Sequence, residues 1–398
     1  MSSLASYQDI PLLFPEADVL RTLEQQLGRI IRYKPTFFND VAFSAVDNHV
    51  IALGLYSQGL KTLPETFGNL GYLQKLVLRN NQLTALPASI GHLTQLKSFY
   101  LESNQLTALP ESFGALQSLQ TLELNRNQLV SLPESFGALQ SLQTLNLLAN
   151  ELNSLPDSFS QLTNLRELWL GNNPLRTLPE SFGNLKNLTF AHLGSILLKT
   201  LPESFSRLRG LQTLNLSWNL LKTLPESFGQ LTKLEQLYLN HNFLKTLPES
   251  FGNLTNLKEL NLMDNELRTL PESFGNLNNL YRLQLEKNPF HSSPESVFPL
   301  LRVGLSTNPR ILQEVLNILQ NVHKTSSFFL SFLIQEGSDL SDFNFLKLFE
   351  EVKIEEVTPT QLKAFLPILL SILLSSPSPH VSLQIKQFLN RLRKEDII

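Results

Sequence analysis

Leucine recurs along this chain in a fixed figure, and every 23 residues the figure closes on a leucine–proline pair. The pairs are Leu63-Pro64, Leu86-Pro87, Leu109-Pro110, Leu132-Pro133, Leu155-Pro156, Leu178-Pro179, Leu201-Pro202, Leu224-Pro225, Leu247-Pro248 and Leu270-Pro271. A period of this length, held without slippage, marks stacked structural units, each too small to bury its own apolar face. Within one unit, Leu116 to Pro133, the alternation Leu122-Glu123-Leu124 has period two. It predicts a short strand with leucine on one face and polar residues on the other. Three residues beyond Leu124 stands Asn127, and the same place holds Asn81, Asn104, Asn150, Asn173, Asn219, Asn242, Asn265 and Asn288. A side-chain amide at that bend can bond backbone groups of adjoining coils that would otherwise be buried unpaired.

The recurring Pro-Glu-Ser-Phe-Gly predicts a single helical turn, with proline at its first position, an acid where the helix dipole favours it, and glycine leaving it. Phe113, Phe136, Phe159, Phe182, Phe205, Phe228, Phe251 and Phe274 would then stack as a spine on the outer side of the core. Two units depart from the asparagine rule. Gln58 takes the place in the opening unit and Ile196 takes it in the middle. An isoleucine cannot make the amide's bonds, so either the array tolerates one missing link or the curvature changes locally at a binding site.

The pattern LxxLxLxxNxLxxLPxxF resembles the 23-residue leucine-rich repeat, especially the intracellular LPxxφ type of Ras-associated plant and animal repeat proteins and of many microbial ones. The resemblance covers Val50 to Asn308. It implies an α/β fold, a curved solenoid (horseshoe) with a parallel sheet on the concave face and short turns on the convex face. It also implies a protein-binding function whose partner varies freely within the family.

A solenoid must cover its two open ends. Glu16 to Arg32 carries Val19, Leu20, Leu23, Leu27, Ile30 and Ile31 at helical spacing, and Val41–Val46 and Val50–Leu55 flank Asp47-Asn48-His49 as a hairpin. Residues 1–49 are therefore expected to form an N-terminal helical cap, and residues 50–308 a solenoid of about 11–12 coils. Val303-Gly304-Leu305 with Asn308 predicts a last strand, arriving 20 residues after its predecessor rather than 23. Helical patterns at 309–322, 326–335, 341–352, 359–375 and 379–394 predict a C-terminal all-helical domain over 309–398.

Composition narrows the function. The net charge is -3 and the pI near 6.2, so there is no basic footprint for nucleic acid or anionic membrane. The chain has no cysteine, which removes disulfide caps, thiolate zinc sites and cysteine nucleophiles, and which fits a reducing, cytoplasmic setting. It also excludes the ubiquitin-ligase chemistry of repeat-bearing bacterial effectors. Met1 to Pro15 lacks the pattern of a secretory signal. The most apolar stretch, Phe365 to Leu374, is ten residues with Pro367 inside, against the roughly 20 a bilayer span needs. Phosphate-loop, HExxH and GxSxG motifs are absent. His192 and His241 lie two units apart, about 10 Å, too far for one metal ion. No catalytic residue, metal or cofactor is expected.

Outward strand positions are the ones able to read a partner. Trp169, Phe190, His192 and Tyr238 fall on them, Trp218 and His241 fall on the rim beside them, and Tyr100 lies further toward the N-terminus. Exposed aromatic residues are the usual anchors of protein interfaces, so these seven form the candidate site, against the alternative of incidental scatter on a repeat surface. Small neighbours at Gly171, Gly194 and Ser217 would leave pockets beside them. Acids at Glu65 and at Glu111 to Glu272 recur once per unit, with bases such as Lys199, Lys222 and Lys245 four residues before them. They read as solubilising ladders of opposite sign rather than as an acidic docking strip. The function expected is a non-enzymatic scaffold or adaptor holding a protein partner on the concave face. The alternatives are a regulator of a small GTPase or other signalling enzyme, and a secreted microbial effector using the repeats as receptor.

Overall fold

The structure is a computed structural model, and it describes residues 4–36, 40–290, 383, 386 and 387. The expected strand at 303–305 and the expected helical domain over 309–398 lie outside the described residues. The chain divides into two compact units, residues 1–242 and 243–398.

The first unit opens with an antiparallel hairpin, β1 (Leu4–Tyr7) and β2 (Ile10–Leu13), which the sequence pattern did not suggest. Helix α1 (Phe14–Leu27) follows, starting two residues earlier and ending five residues earlier than the apolar spacing predicts. Proline stands in its first turn, and Gly28 ends it in the left-handed conformation at φ 62°. Val19, Leu20 and Leu23 are buried as expected, whereas Ile30, past that stop, is 61% exposed. After β3 (Arg32–Tyr33), β4 (Val41–Val46) and β5 (His49–Leu55) form the expected hairpin. Its turn is Asp47-Asn48, both at positive φ, the backbone that matches strand twist in a two-residue loop. His49 belongs to β5 rather than to the turn. The buried Glu16 of α1 ties the helix to this hairpin, accepting a hydrogen bond from the Val50 amide at 2.6 Å and contacting His49 Nδ1 at 2.8 Å.

From β5 onward each coil adds one three-residue strand: β6 (Lys75–Val77), β7 (Ser98–Tyr100), β8 (Thr121–Glu123), β9 (Thr144–Asn146), β10 (Glu167–Trp169), β11 (Phe190–His192), β12 (Thr213–Asn215) and β13 (Gln236–Tyr238). They pair in parallel in sequence order with a register of 23, so that Leu122 faces Leu145 and Leu168 faces Ala191. The middle residue of each strand points into the core and its flanking residues point out. In the second unit β14 (Glu259–Asn261) and β15 (Arg282–Gln284) pair in the same way. The solenoid repeat with its parallel sheet is thus present.

The asparagine bend works as the backbone accounting requires. Asn127 Nδ2 donates to the carbonyls of Leu101 and Leu124, and its Oδ1 accepts from the Leu106 amide, each at 3.0 Å. Asn104, Asn150 and Asn173 repeat the arrangement. The Pro-Glu-Ser-Phe-Gly segment is a five-residue 3₁₀ turn, Glu111–Ala115 in one coil. Here two details differ from expectation. Proline caps the turn from outside in extended backbone, its carbonyl accepting from the phenylalanine amide, and leucine rather than glycine leaves the turn. Glycine lies inside the turn because the next coil packs onto it. A Cβ at Gly137 would fall on the Ser158 carbonyl oxygen and 2.7 Å from the Ser158 Cβ. The phenylalanines form the expected buried spine, with Phe113, Phe136 and Phe159 stacked at 6.2 and 6.4 Å and Phe182 on Phe205 at 6.0 Å.

Candidate functional site

Three breaks in the regular packing fall around the coil of β10, with Pro174 on the side of the preceding coil and Ile196 on the side of the coil of β11. Serine replaces the tightly packed glycine at Ser160, its hydroxyl turned back onto the Asp157 carbonyl at 3.0 Å. Among the described residues the phenylalanine stack is interrupted between Phe159 and Phe182, and again between Phe205 and Phe228, where Ser206 takes the glycine's place. The side of the coils away from the sheet opens at Ser160 into a groove of about 680 Å³ lined by Gln140, Ser160, Lys186 and Asn187. The second break is Pro174, which has no amide to donate where Gln128 and Glu151 bond the preceding coil. The third is Ile196. Without an asparagine there, the Leu175 amide has no Oδ1 acceptor of the kind that serves Leu152 and Leu198. The backbone reorganises instead. Arg176 and Leu197 take positive φ, the Arg176 amide donates to the Ile196 carbonyl, and that of Thr177 to Leu175.

On the sheet face of these two coils Trp169 and Phe190 meet diagonally across β10 and β11, ring centroids 4.7 Å apart and tilted by 40°. Both are half-buried. Beside them the His192 imidazole lies on Gly171, where a Cβ would come within 2.5 Å of Nδ1. The room expected beside Gly171 is therefore filled by histidine, and the room at Gly194 is taken by Ser217 and Asn215, 3.2–3.3 Å from where its Cβ would stand. His192 Nδ1 is shielded from solvent without a hydrogen-bond partner. Burial pushes this imidazole below its ordinary pKa.

The sign of that shift gives a prediction. The folded chain binds the His192 proton more weakly than the unfolded chain, so stability is complete above the ordinary imidazole value near 6.5 and declines as pH falls below it. Lowering the pH from about 7 to about 5 should cost the native protein more melting temperature than it costs His192→Gln. Parallel melting curves of the two proteins would refute the shielding of this ring.

Each coil places one rim residue, just before the asparagine position, at positive φ, and most of these are small or polar, such as Asn80, Ser103 and Asn172. Trp218 and His241 take the same left-handed backbone, at 57° and 56°. A bulky residue there costs on the order of 1 kcal/mol. Trp218 is nonetheless 59% exposed, its ring stacked on His241 at 3.7 Å.

The structure thus divides the seven sequence-derived candidates into groups. Trp169, Phe190 and His192 come together. Trp218 and His241 form a second pair on the rim. Tyr238 lies on β13, three strands or about 14 Å from Trp169. Tyr100 lies three strands to the other side, near Lys75, whose Nζ is 6.0 Å from its ring. Among the described residues no cluster of histidine and carboxylate is placed to hold a metal ion, and no helix is long and apolar enough to cross a membrane.

The carboxylates of this face, Glu102, Glu123 and Glu167, occupy outward strand positions but are not among the seven candidates. Glu102 pairs with Arg79 at 3.0 Å, and the Arg79 guanidinium lies 5.5 Å from the Tyr56 ring. Burial raises the pKa of Glu123; a hydrogen bond from Asn146 and the charge of Arg79 oppose the rise, and the charges of Glu102 and Glu167 add to it. The signal was available, because residues 23 apart are strand neighbours and aligning the coils brings Arg79 beside Glu102.

The family described as leucine-rich repeat region matches residues 47–130 and 181–301, just over half of the chain, and the leucine-rich repeat family matches residues 164–185. No curated protein matches it. Among solved structures the chain is similar to the plant peptide hormone receptor RGFR1 in complex with RGF2, at 30% identity and a TM-score of 0.54 over 62% of this chain and 40% of the receptor. It is similar to the Arabidopsis receptor kinase HAESA, solved with the peptide hormone IDA and the co-receptor SERK1, at 30% identity and a TM-score of 0.53, over 62% of this chain and 48% of that one. It is also similar to YopM, a leucine-rich effector protein from Yersinia pestis, at 29% identity and a TM-score of 0.51, over 70% of this chain and 66% of that one. The chain spans less than two thirds of each of these three. Repeats of this kind typically serve as non-enzymatic surfaces for binding other proteins. By period, strand register and family match, the chain belongs to the leucine-rich repeat proteins.

Proposed function

We propose that the chain is a non-enzymatic scaffold or adaptor that holds a protein or peptide partner against the sheet face of β10 and β11, centred on Trp169 and Phe190. One observation carries this reading: the half-buried ring pair stands on the two coils where the glycine packing, the asparagine ladder and the phenylalanine stack all lapse. Framework that repeats closely in the coils from β6 to β9 is relaxed behind the most aromatic part of the face, and Ser206 repeats the glycine lapse two coils further on. The strained, exposed Trp218 adds a second anchor on the rim. The peptide-bound state of the two plant receptors is consistent with this use of a repeat surface.

In the same reading the repeats are of the 23-residue LPxxφ intracellular type, α1 and the β4–β5 hairpin cap the N-terminal end, residues 50–308 form the solenoid, and residues 309–398 add a helical domain. A cytoplasmic location fits the absence of cysteine. Alanine at both Trp169 and Tyr238 is expected to abolish partner capture from the native cell at an unchanged melting temperature. Full capture by that double variant would sink the proposal.

A second reading, a secreted effector with the repeats as receptor, is favoured by the likeness to YopM. Fusing residues 1–30 to a reporter and assaying its microbial secretion separates the two, and a retained reporter discards the effector. Regulation of a small GTPase rests on the repeat type alone, and pull-down against nucleotide-loaded GTPases tests it.

A further inference from the structure

The face that carries Trp169 and Phe190 is one-sided in charge. Across β8 to β13 the outward side chains include no lysine or arginine, and their formal charges are those of Glu123 and Glu167. The nearest cation on the face, Arg79, is already engaged by Glu102. No cation pairs with Glu167 among the described residues. His192 adds no positive charge at neutral pH, since it is held neutral by burial. Two half-buried carboxylates thus lack an ion-pair partner of their own beside the half-buried ring pair, Glu123 feeling only the charge of an Arg79 that Glu102 already holds. Their charges repel each other in the free protein, and burial adds to the cost of holding Glu123 ionised.

We propose that the occupant of this face is an extended polypeptide segment carrying lysine or arginine two or four residues from an aromatic or branched apolar side chain. The proposal rests on the reading of the face given above and names the partner's chemistry. The apolar side chain would pack on Trp169 and Phe190, and the cation would lie over Glu123 or Glu167.

The spacings agree. Glu167 is the strand neighbour of Phe190 in register, and Glu123 lies two strands, about 10 Å, from Trp169. Alternate side chains of an extended segment recur every ~7 Å, and a lysine or arginine stem spans the remainder. Trp169 itself offers a ring face to a cation. Nucleic acid, phosphopeptide and anionic lipid are all repelled by the same carboxylates.

The test is selection of a displayed library of random short peptides on the full chain, followed by measurement of the enriched peptides on variants. Enriched sequences are expected to combine Lys or Arg with an aromatic or aliphatic residue, and to bind less tightly as salt rises. Glu123→Gln with Glu167→Gln should weaken them roughly tenfold, and Trp169→Ala should abolish them. The glutamine variants remove repulsion rather than packing, so their melting temperature should not fall.

Acidic or uncharged winners overturn the proposal. So does full affinity for the double glutamine variant when Trp169→Ala still abolishes binding, an outcome that leaves the ring pair as a binding site. Peptides indifferent to both changes, or a library yielding nothing held through Trp169, overturn the charge proposal and the ring-pair site together.

Discussion

Asn127→Ala should lower the stability of the repeat array by about 3 kcal/mol, read as a shift of the denaturant midpoint. The size follows from what the amide holds. Its two donated bonds go to the Leu101 and Leu124 carbonyls, and each of those retains another asparagine donor, from Asn104 and Asn150. The Leu106 amide has no such reserve, because Asn127 Oδ1 is its acceptor. Truncation therefore strands one buried N–H outright and weakens two carbonyls, with a small cavity added. Ile196 shows how the chain itself survives the loss: Leu197 beside it and Arg176 of the neighbouring coil turn into the left-handed region. Asn127 has no such relaxed neighbour. A midpoint shift below that of an ordinary surface substitution would mean that solvent reaches the bend.

Gly137→Ala is expected to cost a further comparable amount, about 2–3 kcal/mol, although it adds one methyl group to a turn whose φ any residue can adopt. The obstacle is the next coil. The new Cβ would collide with the Ser158 carbonyl and Cβ, both backbone-anchored, so the turns must part and the stack of Phe136 on Phe159 must loosen with them. Ser160→Ala supplies the control. That coil already carries a Cβ at the same place, so the change should stay within about 0.5 kcal/mol. Equal effects at the two positions would show that contact between coils does not explain the glycine.

Period and register explain why so much was legible from sequence. Leu122, Asn127 and Phe136 each recur at a fixed offset, and a residue that recurs at every turn of a stack has its neighbours named by arithmetic. The cap region lacks that redundancy. Hairpin β1–β2 escaped notice because four residues of mixed polarity carry no periodic signal, and α1 was drawn past Gly28 because the apolar spacing continues through Ile31. The glycine of each turn was assigned to the wrong cause, since helix exit and close approach call for the same residue. At the candidate face, outward direction was readable for Trp169 and Phe190. The filling of Gly171 by His192 was not, because side chains on adjacent strands are free to lean into any space their neighbours leave.

The lapse at Ser160, Pro174 and Ile196 also bears on cooperativity. A repeat array owes its all-or-none unfolding to the interfaces between neighbours, and weakened packing on both sides of the coil of β10 lets the coils before it and those after it fray separately. A partner lying across Trp169 and Phe190 bridges the coils of β10 and β11, so part of its binding energy would be spent restoring the coupling between them. The bound protein would then melt as one block where the free protein melts as two.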